Sequence, residues 1–391
     1  MVMKVMSADH SVAHGVRLAR AEVIPAFPIT PQTLIVELLS EFINDGELDA
    51  DFMPVESEHS AMSAAIGASA GGVRAFTATS SQGLALMHEM LYAAPHNRLP
   101  IVMANVNRSL GAASGIWLEY NDSMPERESG WLQVYIEDNQ EALDMIIQAY
   151  RIGEDGGVML PVMVCLDGFV LSHTVEKVDL PDQEIVDRFL PKFSPLDVLD
   201  SEAPKTFNAI TPPDYAMEMR YRLERAIEDS KTVIGRVDSE YGEVTGRRYG
   251  GLLDTYRMEG AEIALMTLGT ATSTAKVVAD RLNEMGKKAG VIKLRFMRPF
   301  PGRELAEITK ELKGLGVFDR SLSFNGFGPV FTETRNALNS AQFPITNHIA
   351  GLGGRDVTFE EVKSMFDIVE RSARGESYRE CNWHGLRGVM V

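Results

Sequence analysis

The sequence predicts an α/β protein of two units, the first a doubly wound parallel sheet with helices on both faces. Through the first 165 residues, short apolar runs alternate with segments of helical periodicity at regular spacing. Those runs are apolar on both faces, as strands buried between two helical layers are. Length is the third observation: 391 residues, 45% of them hydrophobic and 24% charged, supply more core than one ordinary domain holds.

Residues 22–27 read as a strand closed by the proline-bounded turn Pro28-Ile-Thr-Pro31. Leu34, Ile35, Leu38, Leu39 and Phe42 then follow helical spacing. The alternation continues with a strand over 51–55, an alanine-rich helix over 58–71, a strand over 73–77 and a helix over 83–94. A strongly apolar strand over 99–106 follows, then strand 131–136, helix 139–152 and strand 160–165. Ligands in such sheets sit beyond the carboxyl ends of the strands. A site is therefore expected on the loops 28–31, 56–58, 79–82 and 107–122. Residues 179–256 differ, with six prolines between Pro181 and Pro213 and a charged helical stretch over 215–229, and read as a connecting arm. A second unit then offers strand 262–268, helix 273–285, strand 290–296, a proline turn at 298–301, helix 303–312 and strand 321–324. The turn Leu268-Gly-Thr270 into a helix could face an anion, although many α/β units have such a turn without a ligand.

The formal charge of −17 argues against nonspecific nucleic-acid binding, which needs a basic face. The most apolar stretch, 158–171, is interrupted by Asp167 and is too short to cross a bilayer. The first residues lack the features of a signal peptide, so a cytoplasmic protein without membrane partners is expected. There are two cysteines, and a cubane iron–sulfur cluster wants four thiolates, so this chain does not hold one alone. Cys165, Met87, Met90, Met103 and Met124 read as core, and His59 and His88 as structural histidines.

Glu58 stands at the junction of a buried strand and the alanine-rich helix, in Val55-Glu-Ser-Glu-His-Ser-Ala61. Read alone, it is a glutamate favoured by the dipole and free N–H groups of a helix start. Further segments stand in order around it: Phe27-Pro-Ile-Thr-Pro-Gln-Thr33, Phe76-Thr-Ala-Thr-Ser-Ser-Gln-Gly-Leu84, Leu99-Pro-Ile-Val-Met103, Asn107-Arg108 and Ser129-Gly-Trp-Leu-Gln133. Asn139-Gln-Glu-Ala142, the run from Leu160 to Phe169 and Gly290-Val-Ile-Lys-Leu-Arg-Phe-Met-Arg-Pro-Phe-Pro301 continue the series. Together these resemble the alpha subunit of the 2-oxoacid:ferredoxin oxidoreductases, of the kind acting on pyruvate, up to about residue 335.

The resemblance implies a thiamine pyrimidine-binding domain with its connecting arm over residues 1–235 and a transketolase-C-terminal-like domain over 255–391. It implies oxidative decarboxylation of a 2-oxoacid to acyl-CoA and carbon dioxide, with thiamine diphosphate as cofactor and coenzyme A as co-substrate. Glu58 matches the catalytic glutamate that bonds N1′ of the aminopyrimidine, and Pro28 and Ile29 the turn packed near the cofactor ring. Arg108 and Thr30 match the residues that face the substrate carboxylate; a guanidinium fork suits bidentate recognition of that group. Read alone, Pro28–Pro31 is a rigid turn and Arg108 a solvated arginine at a strand end. The Gly-Asp-Gly and Asn-Asn stretches that anchor diphosphate through magnesium are missing from the sequence. A beta subunit is therefore expected to supply the Mg²⁺ site and cluster cysteines, with gamma and ferredoxin-like delta subunits and a ferredoxin or other acceptor completing the system.

Two stretches depart from the family pattern. Ala8-Asp-His-Ser11 replaces its usual Gly-Asn-Glu-Ala, read here as a turn. The loop Ser109-Leu-Gly-Ala-Ala-Ser-Gly-Ile-Trp117 lacks the family's proline and is crowded with small residues. Small side chains leave volume, which motivates an alternative substrate bulkier than pyruvate, a branched or aryl 2-oxoacid such as phenylglyoxylate. An alternative of another class is a noncatalytic structural subunit. A dinucleotide-binding dehydrogenase is disfavoured, because Phe27-Pro-Ile-Thr-Pro31 has none of the glycines a pyrophosphate approach requires.

Overall fold

The computed structural model describes residues 2–111, 115–195 and 197–388. In chain order, β1 (Val2–Met6) and α1 (Ala8–Leu18) precede β2 (Val23–Ala26), α2 (Thr33–Asn44), β3 (Asp51–Pro54) and α3 (Glu58–Ala70). Then come β4 (Phe76–Thr79), α4 (Gln82–His96), β5 (Val102–Asn107), β6 (Leu132–Tyr135), α5 (Asn139–Gly153) and β7 (Val162–Asp167). β8 (Glu176–Leu180), α6 (Gln183–Phe189) and the 33-residue α7 (Pro213–Thr245) lead into the second unit. That unit holds β9 (Leu253–Tyr256), β10 (Ile263–Thr267), α8 (Ala271–Glu284), β11 (Ala289–Leu294), β12 (Phe296–Arg298) and α9 (Gly302–Ile308). It ends with β13 (Gly314–Asp319), α10 (Pro329–Ala337), β14 (Ile345–Ile349), α11 (Phe359–Ala373) and β15 (Cys381–Trp383).

In the first unit, β6, β7, β5 and β4 pair in parallel, and a bridge from Ala75 to Val23 carries the order on to the parallel pair β2–β3. Strands β4, β5, β6 and β7 are buried along their whole length, as a sheet covered on both faces requires. The second sheet runs β15-β14-β13-β10-β11-β9, parallel except for β9. The two sheets are stitched by one stretch of chain. β11 lies in the second sheet, and three residues after Lys293 the chain enters β12, which pairs antiparallel with β6 of the first. One apolar cluster also spans both units, from Ala61, Met62 and Leu84 on α3 and α4 to Ile292, Leu315 and Phe331. Burial on this scale, at about 25 cal/mol per Å², is the main force holding the units together.

Three sequence readings are corrected. Residues 321–324 form no strand; the strand lies earlier, at β13. Glycine is a poor strand former, and Gly316 stands there because a Cβ would lie 2.7 Å from Val369 Cγ2 and 2.9 Å from Leu265 Cδ1. Ala8–Ser11, read as a turn, opens helix α1, with Ser7 as its N-cap. The arm helix begins near the expected place but runs on to Thr245, because Ile234, Val237 and Tyr241 on its later turns are buried. Among the described residues, no helix is long and apolar enough to cross a membrane.

Candidate functional site

Four loops of the first unit meet beyond the carboxyl ends of β3, β2, β4 and β5, in that spatial order. After β3, Ser57 caps α3 by accepting from the Ser60 N–H at 3.2 Å, which fixes Glu58 in the first turn. The Glu58 side chain is buried, 6% exposed, and lies against the first turn of α4. A Cβ on Gly83 would stand 2.6 Å from Glu58 Oε1 and 2.5 Å from Thr79 Oγ1. Glycine at 83 is thus what lets α4 approach the carboxylate. Thr79 Oγ1 is buried there without a hydrogen-bond partner among the described residues.

After β2, Gln32 closes the Pro28–Pro31 turn, its Nε2 donating to Phe27 O at 3.0 Å and its N–H to Ile29 O at 3.0 Å. Pro28 and Thr30 are exposed and Ile29 half-buried, so the turn presents its side chains outward. Arg108, at the end of β5, donates Nη1 to Thr30 O at 3.0 Å, while its Nε is buried and unpartnered among the described residues. The structure therefore joins Thr30 to Arg108 directly and sets Glu58 against Thr79 and Gly83. Pro28 and Ile29 stand on the Thr30 turn, two strands from Arg108 and next to the Glu58 strand.

Between β4 and α4, Ser81 holds φ 50° and ψ −117°, a left-handed conformation that a side chain resists. Its Oγ donates to Ser109 O at 2.7 Å, and its N–H donates to Asp122 Oδ2 at 3.1 Å. Asp122 ties these loops together and was not singled out in the sequence. It lies 2% exposed behind the loops, and burial raises its carboxyl above the usual range against the N–H donors that lower it. The signal available in the sequence was the polar triplet Asn121-Asp-Ser123 amid buried residues. Gly168, after β7, completes the rim: its N–H donates to Asn107 O at 3.2 Å, and a Cβ there would collide with that oxygen and crowd Pro31.

The anion turn at Leu268–Thr270 is filled from within. Asp167 Oδ2 accepts from the Thr270 N–H at 3.1 Å and from its Oγ1, and Oδ1 accepts from Tyr120 Oη at 2.7 Å. Cys165 is buried and its thiol pushed up by burial. His88 Nδ1 lies 2.8 Å from the buried Glu126 carboxylate. In the small-residue loop, positions 112–114 lie outside the described residues.

Residues 14–239 match the family model described as pyruvate flavodoxin/ferredoxin oxidoreductase, thiamine diphosphate-binding, and residues 261–362 match pyruvate:ferredoxin oxidoreductase core domain II. The chain belongs to the 2-oxoacid:ferredoxin oxidoreductases, as an alpha subunit. It is 49% identical to the pyruvate synthase subunit PorA of Methanothermobacter thermautotrophicus, covering 99% of each chain. The ketoisovalerate oxidoreductase subunit VorA of Pyrococcus horikoshii is 45% identical, over 99% of this chain and 98% of that one. Both relatives extend the likeness well past residue 335, where the sequence motifs ended. Among solved structures, a 2-oxoglutarate:ferredoxin oxidoreductase from Magnetococcus marinus superposes with TM-score 0.73 at 18% identity, over 93% of this chain and 65% of that one. A split-gene transketolase tetramer gives TM-score 0.55 at 13% identity, over 94% and 98%. Those two likenesses establish fold: the α/β pair of units is the one shared by this oxidoreductase family and transketolase.

Proposed function

We propose that Glu58, Thr30 and Arg108 are the working residues of this oxidoreductase subunit, Glu58 toward thiamine diphosphate and the other two toward the carboxylate of a 2-oxoacid, with pyruvate the first substrate to test. The carrying observation is the buried Glu58 carboxylate set against Gly83. Two unpartnered polar atoms, Thr79 Oγ1 and Arg108 Nε, border the same loops and would find partners in a bound ligand. These residues fit the cofactor's pyrimidine end: Pro28 and Ile29 offer the flank of a ring, and Glu58 offers a shielded carboxylate for a ring nitrogen. When bound, thiamine diphosphate supplies a carbon nucleophile for the 2-keto group. Glu58 then holds a proton in a cleft where little water competes, so its hydrogen bond is strong. Arg108 neutralises and orients the substrate carboxylate until it leaves as carbon dioxide.

The division of labour follows from chemistry. A diphosphate with magnesium needs hard oxygen ligands, and a cluster needs thiolates; with two cysteines and no Gly-Asp-Gly stretch, this chain leaves both to a beta-type partner. Coenzyme A, gamma and delta chains, a ferredoxin acceptor and a cytoplasmic setting belong to the same reading. So does the division at 1–235 and 255–391: position 235 falls within α7, and apart from β12 the strands of the two sheets lie before and after that helix.

In the complex assembled with its partners, Glu58→Ala is expected to lower 2-oxoacid-dependent reduction of a viologen acceptor by at least about 100-fold. Near-normal turnover would refute the assignment. The VorA likeness keeps a branched substrate in play. Steady-state kinetics on pyruvate, 2-ketoisovalerate and phenylglyoxylate separate these; a clear preference for pyruvate ends the bulkier alternatives.

A further inference from the structure

Asp122 receives five donors, from the β4–α4 turn, from β5 and its end, and from its own loop. Oδ2 accepts from Ser81 N–H at 3.1 Å, Arg108 N–H at 3.0 Å and Asn105 Nδ2 at 3.3 Å. Oδ1 accepts from Asn107 Nδ2 at 2.8 Å and from its own neighbour Ser123 N–H at 2.8 Å. Asn107 Nδ2 also donates to Ser123 Oγ at 2.6 Å, which is bonded to Tyr135 Oη at 2.7 Å on β6. One carboxylate therefore fixes the backbone of Arg108, the end of β5 behind it, and the strained Ser81 that starts the α4 turn facing Glu58.

We propose that Asp122 is a positioning residue of the 2-oxoacid site, setting Arg108 and the Ser81–Gly83 turn relative to one another. This rests on the reading of Arg108 and Glu58 given above. The physical ground is that no other buried carboxylate reaches both loops among the described residues, and Ser81 cannot keep a left-handed backbone without outside help. In an Asp122→Asn variant the N–H₂ group would stand either at Oδ2, where the Ser81 and Arg108 N–H groups lose their acceptor together, or at Oδ1, where Asn107, the residue before Arg108, loses its own. Among the described residues the neighbouring Asn121 side chain ties only Leu110, through the Leu110 N–H at 2.8 Å and Leu110 O at 3.0 Å, and serves as a control for loop loosening.

The test is a double-mutant cycle on the complex assembled with its partner subunits, reading KM for the 2-oxoacid and kcat separately. Asp122→Asn is expected to raise KM about tenfold or more, since small misplacements of a binding group cost that much. In an Arg108→Ala background the same change should raise KM less than about twofold, because its effect acts through Arg108. Asn121→Ala should leave KM within about twofold of wild type. Equal rises from Asn121→Ala and Asp122→Asn, or full additivity with Arg108→Ala, would overturn the proposal. If Arg108→Ala alone leaves KM unchanged, the reading of Arg108 fails instead, and the proposal falls with it. Where Asp122→Asn does not assemble, Asn107→Ala removes a single donor and carries the same cycle, with about a threefold KM rise expected in the wild-type background and none beside Arg108→Ala; an unchanged KM in both backgrounds overturns it.

Discussion

Gly83 and Glu58 are closely paired in the site, and a single methyl tests the pairing. Gly83→Ala would place Cβ 2.6 Å from Glu58 Oε1, so either the carboxylate or α4 must move. Overpacking of this kind costs about 1–3 kcal/mol. A fall in kcat of at least about tenfold with a modest loss of Tm is expected, because displacement of the carboxylate touches chemistry more than folding. Arg108→Lys is the companion change: it keeps the charge but loses the fork, and KM for the 2-oxoacid should rise about tenfold with assembly intact. At this scale the sequence was a good guide to types and a poor one to partners. Glu58, Arg108 and Thr30 could be singled out, but the Arg108 tie to Thr30 O and the gathering of donors on Asp122 depend on strands far apart in sequence meeting side by side.

Among elements, the carboxyl ends of β5 and β7 are held in contact by the absence of a side chain at Gly168, whose Cβ would strike Asn107 O. Gly168→Ala should lower Tm and raise KM together, since backbone cannot yield there as a flexible side chain can; calorimetry and steady-state kinetics on the same preparation would show both. The alternating pattern of the first unit was legible because buried parallel strands are apolar on both faces and their helices keep the 3.6 period. α1 went unread: its polar Asp9, Ser11 and His14 are all buried, so polar side chains stand where a core-facing helix is expected to be apolar. β13 went unread for the opposite reason, its glycines serving close packing against α11 and β10 rather than a turn.

At the scale of the whole molecule, a buried ion cluster ties the units. Glu141 on α5 meets Lys293 Nζ at 2.5 Å and Arg295 Nε at 2.8 Å, and Glu137 meets Lys293 at 3.1 Å and Lys276 at 2.9 Å. Burial alone would raise the Glu141 carboxyl, but Lys293 and Arg295 bring it down to about 2. A carboxyl held below its ordinary 4.5 stabilises the fold above that pH, and the contribution is lost as pH falls toward 2. Stability measured against pH should therefore drop across this window, and Glu141→Gln should flatten the drop while costing about 3–5 kcal/mol at neutral pH, by stranding its partners. Gly290–Pro301 was read from sequence as a family segment, but not as the source of these cations, because nothing local says that a strand of the second unit will face a helix of the first.

The run from β11 into β12 gives this subunit a mechanical character. A swivel of one half against the other would have to unzip β12 from β6 and empty the ion cluster at the same time. The two halves of the subunit are thus coupled as one body, by a shared strand and by the ions behind it. Cutting the polypeptide in the loop before β9 should accordingly give two fragments that remain clasped through that shared strand when produced together.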